Sequence, residues 1–190
     1  MGVVFVAVRG RLGSRAEYQS AVRSLRPVDV DTWLAAMPRS VVGPDTRAKT
    51  VAQMLRGVPL PPGFDAGALQ AEDAVLNHYA LAVKVADGVS CAWVESWIAA
   101  RAGGDRAGER EAVDAMSMSS EWPLVQQMEL EVPGGWAANI HKAAGELERG
   151  RLDWGPAGSL VRPDGSGYEF GPGWATMLQC TSHYWRRSIG

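Results

Sequence analysis

The residues with which a hydrolase or a metal site would be built are few in this chain. They are His78, His141 and His183, Cys91 and Cys180, and the carboxylates Asp87, Glu95, Glu109, Glu111 and Asp114. A zinc site needs ligands at short spacings such as HxxxH or CxxC, so that one element presents two of them to one ion. No histidine here has such a partner, and His141 and Glu146, five residues apart, do not share a helical face. Cys91 would need a base to become a nucleophile, and only the fold could bring His141 or His183 to it. There is no GxSxG, Gly158-Ser159 lacks a strand-to-helix elbow, and GGDRAG from Gly103 lacks the Lys-Ser/Thr ending of a phosphate loop. The carboxylates sit in helical patterns and read as a solvated face. The expectation is therefore no catalytic residue, no metal and no cofactor, with a small hydrolase or metal-dependent enzyme assembled from dispersed His, Asp and Glu as the alternative.

Tryptophan is the one excess, at Trp33, Trp93, Trp97, Trp122, Trp136, Trp154, Trp174 and Trp185. Indoles serve cores and partner interfaces alike. Trp93, Trp97, Trp122 and Trp136 fit a helical core. Trp154, Trp174 and Trp185 fall in an irregular tail, where exposed rings would form a binding patch; the competing reading is that they seal the end of the core.

The element that must position all of these is the segment Phe64 to Gly104. Leu69, Leu76, Tyr79, Val83, Ala86, Trp93 and Trp97 follow a 3/4 spacing, which predicts a central amphipathic helix over about 68–102. Asp65 is its expected N-cap and Gly103-Gly104 its stop, while Gly88 would bend it or admit a close neighbour. Lys84, Gly88, Cys91 and Glu95 share a second stripe of the same helix.

Around it, Ser14 and Glu17 have capping-box spacing for a helix through Leu25, ended by Pro27. Asp31 is the expected cap of DTWLAAM, and Asp45 that of a helix burying Val51, Met54 and Leu55 and stopped by Gly57. Val58 to Phe64, with three prolines, reads as an extended strap with Leu60 and Phe64 inward. Asp105 caps a helix burying Val113 and Met116, Pro123 opens another, and Trp136, Ile140, Ala144 and Leu147 mark one ending at Gly150. From Arg151 the chain is Gly- and Pro-rich, with SLVR and YEF flanking PDGSG as a hairpin and WATMLQCTSHYWRR as a last helix. The fold class is mainly α: a single irregular helical domain, 1–190, around a long central helix, with a small Gly/Pro-rich hairpin region in the tail 151–190.

A hydrophobic share of 46% against 21% charged is a globular balance, and a net charge of −2 gives no long-range field for nucleic acid. Arg9, Arg11, Arg15, Arg23 and Arg26 make the first segment locally basic and read as a solvated face. Met1 to Val8, within 1–13, is either a strand or the end of a membrane helix that begins upstream; alone it is too short to span, which takes about 20 residues. Cys91 and Cys180 form one disulfide if the protein is exported and stay two thiols if it is cytosolic.

Val51 to Asp65, CAWVESWIAAR from Cys91 with the following GGD, EAVDAM from Glu111 and EWPLVQQME from Glu121 resemble a family of uncharacterised helical domains in actinobacteria. The resemblance covers about the middle half of the chain, and the chain departs from the family in lacking a complete N-terminal membrane helix. It implies an extracytoplasmic, membrane-tethered or secreted interaction domain with a protein partner at the cell envelope, and it transfers no catalytic residue. It also implies a late cysteine matching Cys180. With only two cysteines, and with Cys91 on a face that the tail must cover, the expectation becomes a Cys91–Cys180 bond.

Overall fold

The structure, a computed structural model, describes residues 13–38, 40–71, 75–152, 155–161 and 166–180. Met1 to Val8, expected as a strand or membrane-helix end, lies outside them, as do Trp154, His183 and Trp185. The chain is mainly helical, and it divides into two compact units at Pro38. No helix among the described residues is long and apolar enough to cross a membrane.

The first unit holds α1 (Arg15–Ser24) and α2 (Val30–Ala35). At α1 the expected capping box is complete: Ser14 Oγ accepts the Glu17 N–H and Glu17 Oε2 accepts the Ser14 N–H. At α2 the cap is Asp29 and not Asp31. Asp29 is extended and its Oδ1 accepts the Thr32 N–H at 2.7 Å, whereas Asp31 lies inside the first turn, where the helix dipole favours an acid. Neither helix buries a residue.

The second unit is built on α5 (His78–Ala102). Before it come β1 (Val41–Val42), α3 (Pro44–Met54), α4 (Ala66–Gln70) and β2 (Leu76–Asn77); after it come α6 (Arg106–Ser117), a 3-10 turn (Met118–Glu121), α7 (Pro123–Glu131) and α8 (Ala137–Glu148). The tail contributes β3 (Gly158–Val161), β4 (Tyr168–Gly171) and α9 (Gly173–Met177). Helices α3, α6, α7 and α8 all pack on α5, and α6 also packs on α8. The α3 cap is Gly43, with Pro44 at the first helical position and Asp45 one place inside, not the cap expected of it.

The long helix expected over 68–102 is two helices. Asp65 does cap the first, its Oδ1 accepting the Gly67 N–H, but α4 ends at Gln70. Leu76 and Asn77 are then extended and pair antiparallel with Val42 and Val41, and the Asn77 side chain caps α5 by accepting the Ala80 N–H at 2.7 Å. Leu69 therefore meets the stripe from a separate helix. A Cβ placed on Gly88 would stand 3.5 Å from Leu69 Cδ1, an ordinary van der Waals contact, so the packing of α4 on α5 does not itself require glycine there. At the other end α5 stops as expected, with Gly103 as C-cap and Gly104 left-handed at φ 71°.

The proline strap is also turned differently from expectation. Trp93 Nε1 donates to Pro59 O at 3.0 Å, which sets the strap so that Val58 and Pro61 are buried, Phe64 is half-buried and Leu60 is 41% exposed. Trp93, Trp97 and Trp122 are buried and Trp136 is half-buried, with Ile140 and Leu147 of α8 closing the core.

Candidate functional site

Cys91 lies at the middle of α5 and is 1% exposed, because α5 is apolar on nearly every side over this stretch. Cys180 reaches it through a turn: α9 ends at Met177, Gln179 adopts a left-handed φ of 48°, and the Cys180 N–H donates to Ala175 O at 2.8 Å. The two cysteines stand at disulfide distance, with Cα atoms 5.8 Å apart. Trp174, Ala175 and Leu178 are buried around this junction. Trp174 is only 4% exposed, so its indole belongs to the core and not to a surface patch; its partners in the expected patch, Trp154 and Trp185, lie outside the described residues.

Asp87 departs from the solvated face expected of it. It is 5% exposed, and its Oδ1 accepts the Trp136 Nε1–H at 2.6 Å. Tyr79, two turns earlier on α5, accepts the Trp136 backbone N–H through its hydroxyl at 3.3 Å. Burial pushes the Asp87 carboxyl well above the usual carboxylate range, and the indole bond offsets only part of that. A signal for this was available: Asp87 is the single charge in VADGVSCAWV, a stretch otherwise of small and apolar residues.

Glu146, a poor partner for His141 by its spacing, is the second buried carboxylate among the described residues, at 6% exposure. It accepts from Arg151 Nε at 2.6 Å and Arg149 Nη1 at 2.8 Å. The bond from Arg151 leads in holding it below its ordinary pKa, against the opposing effect of burial. Arg101 lies over the Trp97 ring at 4.9 Å and donates to Gly150 O at 3.0 Å. Together these contacts fasten the end of α8 to the end of α5, and they are structural in chemistry.

The other candidates among the described residues do not converge. His78 opens α5 with Nδ1 3.9 Å from Glu131 Oε1, His141 is exposed, and Cys91 is committed to Cys180. Glu111 and Asp114 are exposed, and Glu109 pairs with Arg106 at 3.6 Å on its own helix. Glu95 lines a groove of about 460 Å³ with Pro61, Phe64, Asp65, Ala92 and Ser96, between the strap and α5. No group of three His, Cys, Asp or Glu among the described residues could hold a metal ion.

Among the described residues, exposed apolar side chains include Leu60, Met118, Leu130 and Val132 and two closer groupings. In the first unit Val22, Leu25, Val28, Val30 and Trp33 are all exposed, and on β4 Tyr168 and Phe170 are 70% and 71% exposed on one face of the hairpin. Compared with protein-family models, with curated proteins and with solved structures, the chain matches none.

Proposed function

We propose that this protein is a non-catalytic interaction domain that works outside the cytoplasm, secreted or tethered to a membrane, with a protein partner at the cell envelope. The observation that carries the reading is the surface of residues 22–33. Val22, Leu25, Val28, Val30 and Trp33 are exposed within twelve residues, and neither α1 nor α2 buries a side chain. Such a concentration of apolar surface is a marker of an interaction site. The cysteine pair at disulfide distance supports the compartment, since disulfides persist where the environment is oxidising. The likeness of Val51 to Asp65 and of the CAWVESWIAAR stretch to actinobacterial extracytoplasmic domains points the same way.

The test is a triple variant, Leu25→Ser, Val30→Ser and Trp33→Ser, made in the full chain and exported beside the wild type in an actinobacterial host. The wild type is expected to co-fractionate with the cell envelope and the variant to be released, with unfolding midpoints equal within ordinary surface scatter, about 0.5 kcal/mol. Equal fractionation of the two proteins would remove the interaction reading. A loss of several kcal/mol in the variant would instead make the apolar row part of the core.

A further inference from the structure

The turn between α7 and α8 is docked on α5 by an unusual set of contacts. Pro133, Gly134 and Gly135 form it, with Gly134 left-handed at φ 66° and its N–H donating to Glu129 Oε2 at 3.0 Å. A Cβ on Gly135 would meet Val132 O at 2.9 Å and the Tyr79 hydroxyl at 3.0 Å, so only glycine lets the turn come this close to α5. Trp136 then stands at the N-cap position of α8 without offering a side-chain cap. Its two polar hydrogens go to α5 instead, the backbone N–H to Tyr79 and the indole N–H to Asp87. The start of α8 thus hangs on two α5 side chains, one of which titrates inside the protein.

We propose that Asp87, Tyr79 and Trp136 form a proton-dependent latch: with the Asp87 carboxyl protonated, it holds the turn 133–136 and the first turn of α8 against α5, and ionisation of that carboxyl loosens them. An ionised carboxylate at this depth lacks the water it needs, and the indole N–H supplies one hydrogen bond where a hydrated carboxylate takes several. The least costly relief is local. Asp87 faces a half-buried residue at the start of a helix, next to a glycine turn, so lifting that turn admits water without opening the core.

Among the described residues, the hydrogen bond that Asp87 accepts comes from Trp136. Tyr79, Lys84 and Glu95 on α5, Arg106, Glu109, Arg110, Glu111 and Asp114 on α6, Glu129 and Glu131 on α7, and His141 and Lys142 on α8 are all exposed or half-buried, buried Glu146 of α8 accepts from Arg149 and Arg151, and buried Arg47 of α3 donates to Leu69 O. Burial and the Trp136 bond are what act on Asp87. The latch is independent of the interaction reading above, which rests on the other unit of the chain.

The experiment follows the Trp136 indole N–H by nitrogen-15 NMR in the full disulfide-bonded chain, from about pH 4 to about pH 9, with Trp136→Phe assigning the resonance. The expected result is one transition with its midpoint above the ordinary carboxylate value, accompanied by faster amide exchange at 134–139 after correction for intrinsic base catalysis. Each unit by which the midpoint is displaced corresponds to about a tenfold change in the balance of latched and loosened forms. Asp87→Asn, which keeps an acceptor for the indole but cannot ionise, should abolish both changes. A resonance that stays flat, or a transition that survives in Asp87→Asn, overturns the proposal. Tyr79→Phe covers the case in which the Asn variant fails to fold: loss of the second contact should move the midpoint to lower pH, and an unmoved midpoint overturns the latch as well.

Discussion

Helix α1 and helix α5 are opposites. Helix α1 has a complete capping box, an acid in its first turn and a base in its last, and it buries nothing. Helix α5 has a single asparagine cap, a buried carboxylate and a glycine in its interior, yet it buries Leu81, Val85, Val89, Trp93, Val94 and Trp97. Local chemistry makes both of them helices, since caps satisfy the free N–H groups of a first turn wherever the helix lies. Their energetics diverge because burial depends on partners: α3, α6, α7 and α8 surround α5, and the tail is joined to it through Cys180.

The largest effect that would sharpen this contrast is removal of the tail's covalent tie. For a separation of 89 residues the chain-entropy model gives about 4 to 5 kcal/mol, so the double variant Cys91→Ala, Cys180→Ala should lose stability on that scale in denaturant unfolding. Limited proteolysis should then cut after about Arg151 first, while α5 to α8 stay protected. Trp93→Ala comes next. The ring is 2% exposed and bonded to the strap, and its loss should cost about 3 to 5 kcal/mol, whereas Trp33→Ala, on an exposed ring, should stay within about 0.5 kcal/mol. Equal costs for the two tryptophans would break the comparison.

A third effect concerns pH. Asp87 has a folded pKa raised above its unfolded value, so its contribution to stability is fully present below the unfolded pKa of about 3.8 and is lost as pH rises through the folded one. Glu146 has the opposite sign: its folded pKa is lowered, and its contribution is present above about 4.5 and lost as pH falls through the folded value. Asp87→Asn should therefore flatten the decline of stability that sets in above about pH 3.8 and leave the loss on the acid side, which Glu146 shapes, in place; urea midpoints across the pH range would show it. The smallest effect belongs to α1. Ser14→Ala should cost that helix about 1 kcal/mol, visible as faster amide exchange at 15–18 with no change in the unfolding of the second unit.

What was legible in the sequence was mostly what is decided within one turn of chain. Ser14, Asp105, Pro123 and the Gly103-Gly104 stop all act where they are expected, because each works through its own backbone conformation or through partners within four residues. The hairpin of Gly158–Val161 with Tyr168–Gly171 was readable from its turn residues. The division of the central helix was not, since Leu69 and Leu76 keep helical spacing although α4 ends at Gln70 and Leu76 and Asn77 pair with Val42 and Val41. Asp87 was misplaced for a related reason: its partner, Trp136, is 49 residues away. Leu60 was misplaced because the strap's facing is set by Trp93 across 34 residues and not by the prolines. Of the candidate site, the cysteine pair was within reach because there are only two cysteines, while the burial of Trp174 follows from the junction that delivers Cys180 to α5.

The covalent tie between α5 and the tail is tested most directly by counting thiols. Protein produced in an oxidising compartment, denatured without reductant and titrated with a thiol reagent, should show no free thiol, because Cys91 and Cys180 are the only cysteines and are bonded to each other. Two reactive thiols per chain would contradict the tie and remove its support for the proposed extracytoplasmic setting.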